Sequence, residues 1–209
     1  ATLRNARGGN TPDVLQAAKE IENFGAEGIT VHPRPDERHI TRADAYGLKD
    51  VVTTEYNIEG YPSEDFIQMV LEIKPTQVTL VPDGPDVITS SAGWDCLAKK
   101  DYLAPIIRQF KNAGIRVSVF LDPVVEQVDA ALACGTDRIE LYTEAYASGY
   151  ADNKEAAIAP YKATAKRATQ LGLGINAGHD LSLENLEHFV TEIPETLEVS
   201  IGHALISDA

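Results

Sequence analysis

The stretch Gly28-Ile29-Thr30-Val31-His32-Pro33-Arg34-Pro35-Asp36-Glu37-Arg38-His39 decides how the chain is read. Ile29 to Val31 is a short β-branched run that predicts a buried strand. His32 stands where that strand ends, and Pro33 and Pro35 stop the chain from continuing into either regular structure. Two imidazoles and two guanidiniums thus share one stiff loop, able to bind an anion and to move a proton near neutral pH. Alone, such a loop could equally be a solvated turn. The same arrangement recurs further along, and that recurrence gives it weight.

Upstream, Thr11-Pro12-Asp13 reads as a helix start: Thr11 caps, Pro12 takes the first position and Asp13 meets the positive end of the dipole. Val14, Ala17, Ala18, Ile21 and Phe24 then recur at helical spacing up to Gly25. Residues 1–9 read as the loop after a strand that this sequence does not contain. Downstream, a helix from Thr41 leads to strand Tyr56 to Glu59, and a helix capped by Ser63 leads to strand Val78 to Val81. Helix Tyr102 to Asn112 precedes strand Ile115 to Leu121, and helix Val124 to Cys134 precedes strand Arg138 to Tyr142. A helix from Lys154 to Leu171 precedes strand Leu173 to Asn176, and a helix capped by Ser182 precedes strand Leu197 to Ile201.

Strict alternation with short apolar strands implies parallel strands joined by right-handed crossovers. No Gly-x-Gly-x-x-Gly follows any strand and no Lys-Ser/Thr phosphate loop occurs, so the common nucleotide-binding sheets lose support. Strand ends at His32, Glu59, Pro82, Leu121, Tyr142, Ala177 and Gly202 are evenly spaced, as in a (β/α)8 TIM barrel. The expectation is one barrel domain over residues 1–209, trimmed at both ends so that the first strand and the last helix are missing. Two long connections, Asp83 to Lys100 and Glu144 to Asn153, read as lids or binding loops.

Composition bounds the function. Hydrophobic content of 44% and charged content of 24% are ordinary for a soluble globular protein. A net charge of −14 argues against nucleic acid and anionic membranes, so a phosphate ligand would need a few local donors. There is no apolar run of ~18 residues and no signal peptide. Cys96 and Cys134 fit small core or loop positions in a reducing cytosol, with no disulfide framework. A cytoplasmic location is expected.

In (β/α)8 enzymes the chemistry sits at the C-terminal ends of the strands. His32, His179 and His203 fall at or just past such ends, and His39 lies in the following loop. Only His188 sits within a helix, where it is expected to be exposed. Glu59 ends a strand, and Glu140 lies inside one, where a carboxylate must face the barrel mouth or be paired. Gly178-His179 and Gly202-His203 follow the last two strands, the usual phosphate position, and their glycines allow close approach of backbone N–H groups. No lysine occupies a strand end, which disfavours an enzyme-bound Schiff base. His32, Glu59 and His179 could ligate a divalent metal, but the second carboxylate usual in such sites is missing. Two other readings remain at this point: a metal-dependent sugar-phosphate epimerase on the same fold, and a phosphate-ligand-binding barrel without turnover.

Four motifs carry a resemblance: Ala1-Thr2-Leu3-Arg4-Asn5-Ala6-Arg7-Gly8; Gly28 to His32 with Arg34 and Arg38-His39; Asn176-Ala177-Gly178-His179; and Ile201-Gly202-His203. In this order, over the whole chain, they resemble the pyridoxine 5′-phosphate synthase family. The resemblance implies a (β/α)8 barrel with extra helices, assembled as a homo-oligomer, typically an octamer. It implies condensation of 1-deoxy-D-xylulose 5-phosphate with 3-amino-2-oxopropyl phosphate to pyridoxine 5′-phosphate, phosphate and water, with no metal or organic cofactor. It assigns proton transfer to His32, Glu59 and His179, and stabilisation of transition-state charge to Glu140. Arg34, His39 and Thr89 would contact the deoxyxylulose phosphate; Arg7, Asp180, Gly202 and His203 would contact the amino ketone phosphate. Many relatives carry Gly where this chain has Asp180, so that residue would act through its backbone. The family's first strand, with further substrate contacts, precedes Ala1. The substrate's own amine supplies the imine nitrogen, in keeping with the absent lysine, and a lid over Asp83 to Trp94 would shield imine and enol intermediates.

Overall fold

A computed structural model describes residues 2–84 and 92–208. Strands β1 (Gly28–Val31), β2 (Glu55–Gly60), β3 (Gln77–Leu80), β4 (Arg116–Leu121), β5 (Arg138–Tyr142), β6 (Gly174–Gly178) and β7 (Thr196–Ser200) form one sheet in chain order. The registers are parallel for β1–β2, β2–β3, β4–β5, β5–β6 and β6–β7. Between and around them lie α1 (Thr2–Arg7), α2 (Val14–Asn23), α3 (Arg42–Leu48), α4 (Glu64–Ile73), α5 (Cys96–Asn112), α6 (Val125–Cys134), α7 (Glu144–Gln170), α8 (Leu186–Glu192) and α9 (His203–Ser207). This is the (β/α)8 TIM-barrel architecture with seven of its eight strands among the described residues. The chain groups into two compact units, residues 1–90 with 109–117 and residues 91–108 with 118–209.

Local chemistry explains several helix ends. Thr41 caps α3 in a capping box: its hydroxyl accepts from the Asp44 N–H while the Asp44 carboxylate accepts from the Thr41 N–H. Ser63 caps α4 by accepting from the Phe66 N–H at 3.3 Å. Gly135 ends α6 at φ 91°, a left-handed conformation that costs glycine nothing.

Several boundaries differ from the sequence expectation. Residues 2–7 are helical, not a loop, because α1 is fixed by long-range contacts described below. Asp13, not Thr11, caps α2: its carboxylate accepts from the Leu15 and Gln16 N–H groups, both at 3.0 Å. Helix α5 begins at Cys96, before the expected Tyr102, with Asp95 accepting from the Ala98 N–H. The expected binding loop at Glu144 to Asn153 is helical; α7 kinks at Asn153 (φ −159°, ψ 90°). Tyr146 anchors that first segment: fully buried, its ring meets Tyr150, Tyr161 and Phe189. His188, expected to be exposed, stacks on Tyr146 with its Nδ1 3.1 Å from the Tyr146 hydroxyl.

The strands are less apolar than expected, since each has two unlike faces. In β2, Tyr56 and Ile58 are buried on the helix side, where the Tyr56 hydroxyl donates to the Ala45 carbonyl of α3. Glu55, Asn57 and Glu59 occupy the opposite face by the two-residue period. In the first unit Asn57 bridges its neighbours, donating to the Thr30 hydroxyl and accepting from the Thr79 hydroxyl at 3.3 Å. Nearer the strand starts, Arg116 donates to Gln77 at 2.8 Å and pairs with Glu55. In the second unit Arg138 donates to Asn176 and Glu198, both at 3.1 Å. Such satisfied polar networks hold register and leave the strand ends to carry function.

Candidate functional site

In the first unit His32 follows β1 directly and Glu59 is the penultimate residue of β2. The pairing of Val31 with Ile58 places the two strand ends side by side. His32 Nδ1 lies 4.0 Å from Glu59 Oε2, with side chains 21% and 13% exposed. At that distance the pair makes no direct hydrogen bond, and both groups keep enough exposure for a substrate atom or water to exchange protons with either. Gly60 follows Glu59 and ends β2. A Cβ at Gly60 would meet the Phe66 ring at 2.2 Å, so glycine is required by the packing of α4.

Arg34 is buried, and its guanidinium lies 3.5 Å from Asp83 Oδ2. The two together form an anchored cation at the end of β1, neutralised in part by its partner. The loop that follows is fastened by α1. Asn5 donates to the carbonyls of Glu37 at 2.8 Å and His39 at 2.9 Å, Arg4 makes a bidentate pair with Asp44, and the Thr2 hydroxyl meets His39 Nδ1 at 2.7 Å. Lost hydration, then the Arg34 and Arg38 charges, lower the His39 pKa and favour its neutral form. Arg7 is exposed at the end of α1. Sequence reasoning missed Asn5; its two carbonyl partners lie more than thirty residues away.

The second unit holds another cluster. Glu140 is 1% exposed within β5, on the face shared with Arg138 and Tyr142. A Cβ at Gly178 would meet Glu140 Oε1 at 2.5 Å. Gly178 was expected to bare its backbone to an anion; here the space of its missing side chain admits the Glu140 carboxylate. His179 follows β6 at φ 82° and Asp180 at φ 58°, left-handed conformations unusual outside glycine, and of order 1–3 kcal/mol each. The His179 ring sits edge-on to Tyr142 and against Phe120, both centroids at 5.1 Å. Phe120 and Tyr142 were not singled out from the sequence, although both fall at strand C-terminal ends. Asp180 is exposed, and its carbonyl accepts from the Asn185 amide at 3.2 Å. Gly202 precedes α9 and His203 opens it, both exposed. Thr89 lies outside the described residues, as does most of the expected lid.

Among the described residues no three His, Cys, Asp or Glu side chains converge as a metal site, and no helix is long and apolar enough to cross a membrane. Chemically, the first unit offers an imidazole–carboxylate pair beside an anchored guanidinium. The second offers a buried carboxylate next to a conformationally held imidazole.

Comparison with known proteins adds three findings. A model of the family described as pyridoxal phosphate biosynthesis protein PdxJ matches residues 1–209. Proteins named pyridoxine 5′-phosphate synthase from Bacteroides thetaiotaomicron and Flavobacterium johnsoniae are each 60% identical over 209 residues, and that from Cytophaga hutchinsonii is 61% identical. Each alignment covers 100% of this chain and 88% of the relative. Among solved structures, monomers of dimeric phosphoribosylanthranilate isomerase from Thermotoga maritima superpose with a TM-score of 0.58 at 15% identity, covering 90% of this chain and 81% of that one. At that identity the likeness is one of fold alone.

Proposed function

The chain belongs to the pyridoxal phosphate biosynthesis protein PdxJ family, and on that premise we propose that it is a pyridoxine 5′-phosphate synthase. It condenses 1-deoxy-D-xylulose 5-phosphate with 3-amino-2-oxopropyl phosphate, releasing phosphate and water as the pyridine ring closes. The observation that carries this reading is the match over every residue of the chain, together with relatives of that name at about 60% identity.

The reaction joins an amine to a ketone, expels phosphate and forms an aromatic ring, so several protons must move in sequence. Each positioned acid or base is worth ~10²–10⁴ in rate. His32 and Glu59 supply two such groups 4.0 Å apart, and this spacing supports their assignment as proton-transferring partners. His179 is the third, and Glu140 stabilises positive charge that develops as the imine forms. Arg34 and His39, with Thr89, hold the deoxyxylulose phosphate; Arg7, Gly202, His203 and the Asp180 backbone hold the amino ketone phosphate. For Arg34, phosphate binding entails sharing the guanidinium with Asp83. No metal or organic cofactor enters the scheme.

The same reading takes residues 1–209 as one barrel domain of a cytoplasmic homo-oligomer, an octamer by family likeness. The test is direct: purified protein is given both substrates with a chelator present. Pyridoxine 5′-phosphate and inorganic phosphate should appear in equal amounts. No product, or product only after metal is added, would overturn the reading; light scattering after gel filtration decides the assembly.

A further inference from the structure

We infer that Thr143 is a positioning residue for His179, whose role in proton transfer rests on the function proposed above. Thr143 directly follows β5 and is 0% exposed. Its backbone N–H donates to the Gly178 carbonyl at 2.9 Å. Its hydroxyl proton is shared between that same carbonyl, at 2.6 Å, and the carbonyl of His179.

The geometry gives these bonds a specific consequence. The Gly178 carbonyl belongs to the peptide plane before the His179 Cα, and the His179 carbonyl to the plane after it. The relative rotation of those two planes is set by φ and ψ of His179 alone. One hydroxyl gripping both planes therefore holds His179 at φ 82°, where a residue with a Cβ is unfavourable. Relaxation to negative φ would swing the imidazole away from Phe120 and Tyr142, whose rings now flank it. The far side of the turn is held independently: the Asn185 side chain accepts from the Ser182 N–H at 2.9 Å and donates to the Asp180 carbonyl. Thr143 thus acts through the backbone of one residue and needs no contact with substrate. An apolar side chain of the same shape would fill the space without gripping the carbonyls.

The test compares Thr143→Val, which keeps the shape and removes the proton, with Thr143→Ser, which keeps the hydroxyl. In the substrate-free protein the His179 ring protons carry ring-current shifts from Phe120 and Tyr142, and their NMR signals are assigned by their loss in His179→Asn. Those shifts should collapse in Thr143→Val and persist in Thr143→Ser. The turnover number of Thr143→Val should fall roughly 10-fold or more with KM within about 3-fold, since small misplacements of a reacting group can cost up to ~10²-fold. Thr143→Ser should recover most of it. If Thr143→Val does not fold, Thr143→Cys makes the same comparison with a weaker donor. Unmoved His179 signals in the variant would overturn the positioning role. Full turnover in His179→Asn would instead remove the proton-transfer role of His179, leaving the NMR comparison to judge the positioning by itself.

Discussion

Replacing Glu59 by Gln removes a negative charge 4.0 Å from His32 Nδ1 and leaves the side-chain size unchanged. At about 4 Å the attraction of unit charges is ~1 kcal/mol in water and ~4 kcal/mol at an effective dielectric of about 20. Fully exposed pairs measure about 0.2–1 kcal/mol, and with side chains 21% and 13% exposed this pair is taken at the upper end of that range. The attraction also exists only while His32 is protonated. A loss near ~1 kcal/mol would lower Tm by about 2–4 °C in a chain of this size. A proton-transferring Glu59 predicts something much larger in a different quantity. General acid–base catalysis is worth ~10²–10⁴ in rate, which is ~3–6 kcal/mol of barrier. Initial rates of phosphate release give kcat and KM, and a thermal melt gives Tm. For Glu59→Gln we expect kcat to fall roughly 10²-fold or more, KM to stay within a few-fold and Tm to drop by no more than about 4 °C. A variant with unchanged kcat and a raised KM or lowered Tm would refute the catalytic assignment and leave Glu59 a loop-holding residue.

Two further outcomes follow from the packing. Gly178→Ala would set a methyl group 2.5 Å from Glu140 Oε1, forcing that buried carboxylate to rotate. We expect a stability loss of about 1 kcal/mol in urea unfolding and a clear fall in kcat; full activity would show that the Glu140 position is immaterial to turnover. The second concerns pH and the Arg4–Asp44 pair, which fastens α1. Burial alone would raise the Asp44 pKa, but the hydrogen bonds from Arg4 and Thr41 and the Arg4 charge outweigh it and hold the carboxyl below its ordinary value. A depressed folded-state pKa confers stability that is present above the unfolded value of ~3.9 and is lost as pH falls through the folded one. Asp44→Asn should therefore cost roughly 1–3 kcal/mol at neutral pH, with the gap to the parent narrowing as pH falls below ~4. A gap as large in acid as at neutral pH would contradict the linkage.

Much of the fold was legible from short-range signals. A β-branched run before His32, a Ser or Thr cap before an apolar periodicity, and a glycine at a helix end are each written within a few residues. Their physics, strand packing or the satisfaction of helix-end N–H groups, is equally local. Strict alternation then sufficed for parallel strands in chain order, and placement at strand ends singled out His32, Glu59 and His179. Residues 2–7 escaped that reading because their helix is held by Asp44 and by the carbonyls of Glu37 and His39, partners no local pattern announces. Glu144 to Asn153 reads as a binding loop from its length between two elements; the burial of Tyr146 among Tyr161, His188 and Phe189 makes it helical up to the kink at Asn153. Gly178 reads in the sequence as a residue that lets backbone N–H groups approach an anion. Only the tertiary structure shows that the Glu140 carboxylate fills the space of the missing Cβ at Gly178, and the Phe66 ring that at Gly60, because such a space is taken by whichever side chain arrives there. The same holds for His179. The sequence by itself determined that an imidazole follows that strand; the hydroxyl that meets both carbonyls flanking its left-handed backbone belongs to Thr143, 36 residues away, and only the tertiary structure brings it there.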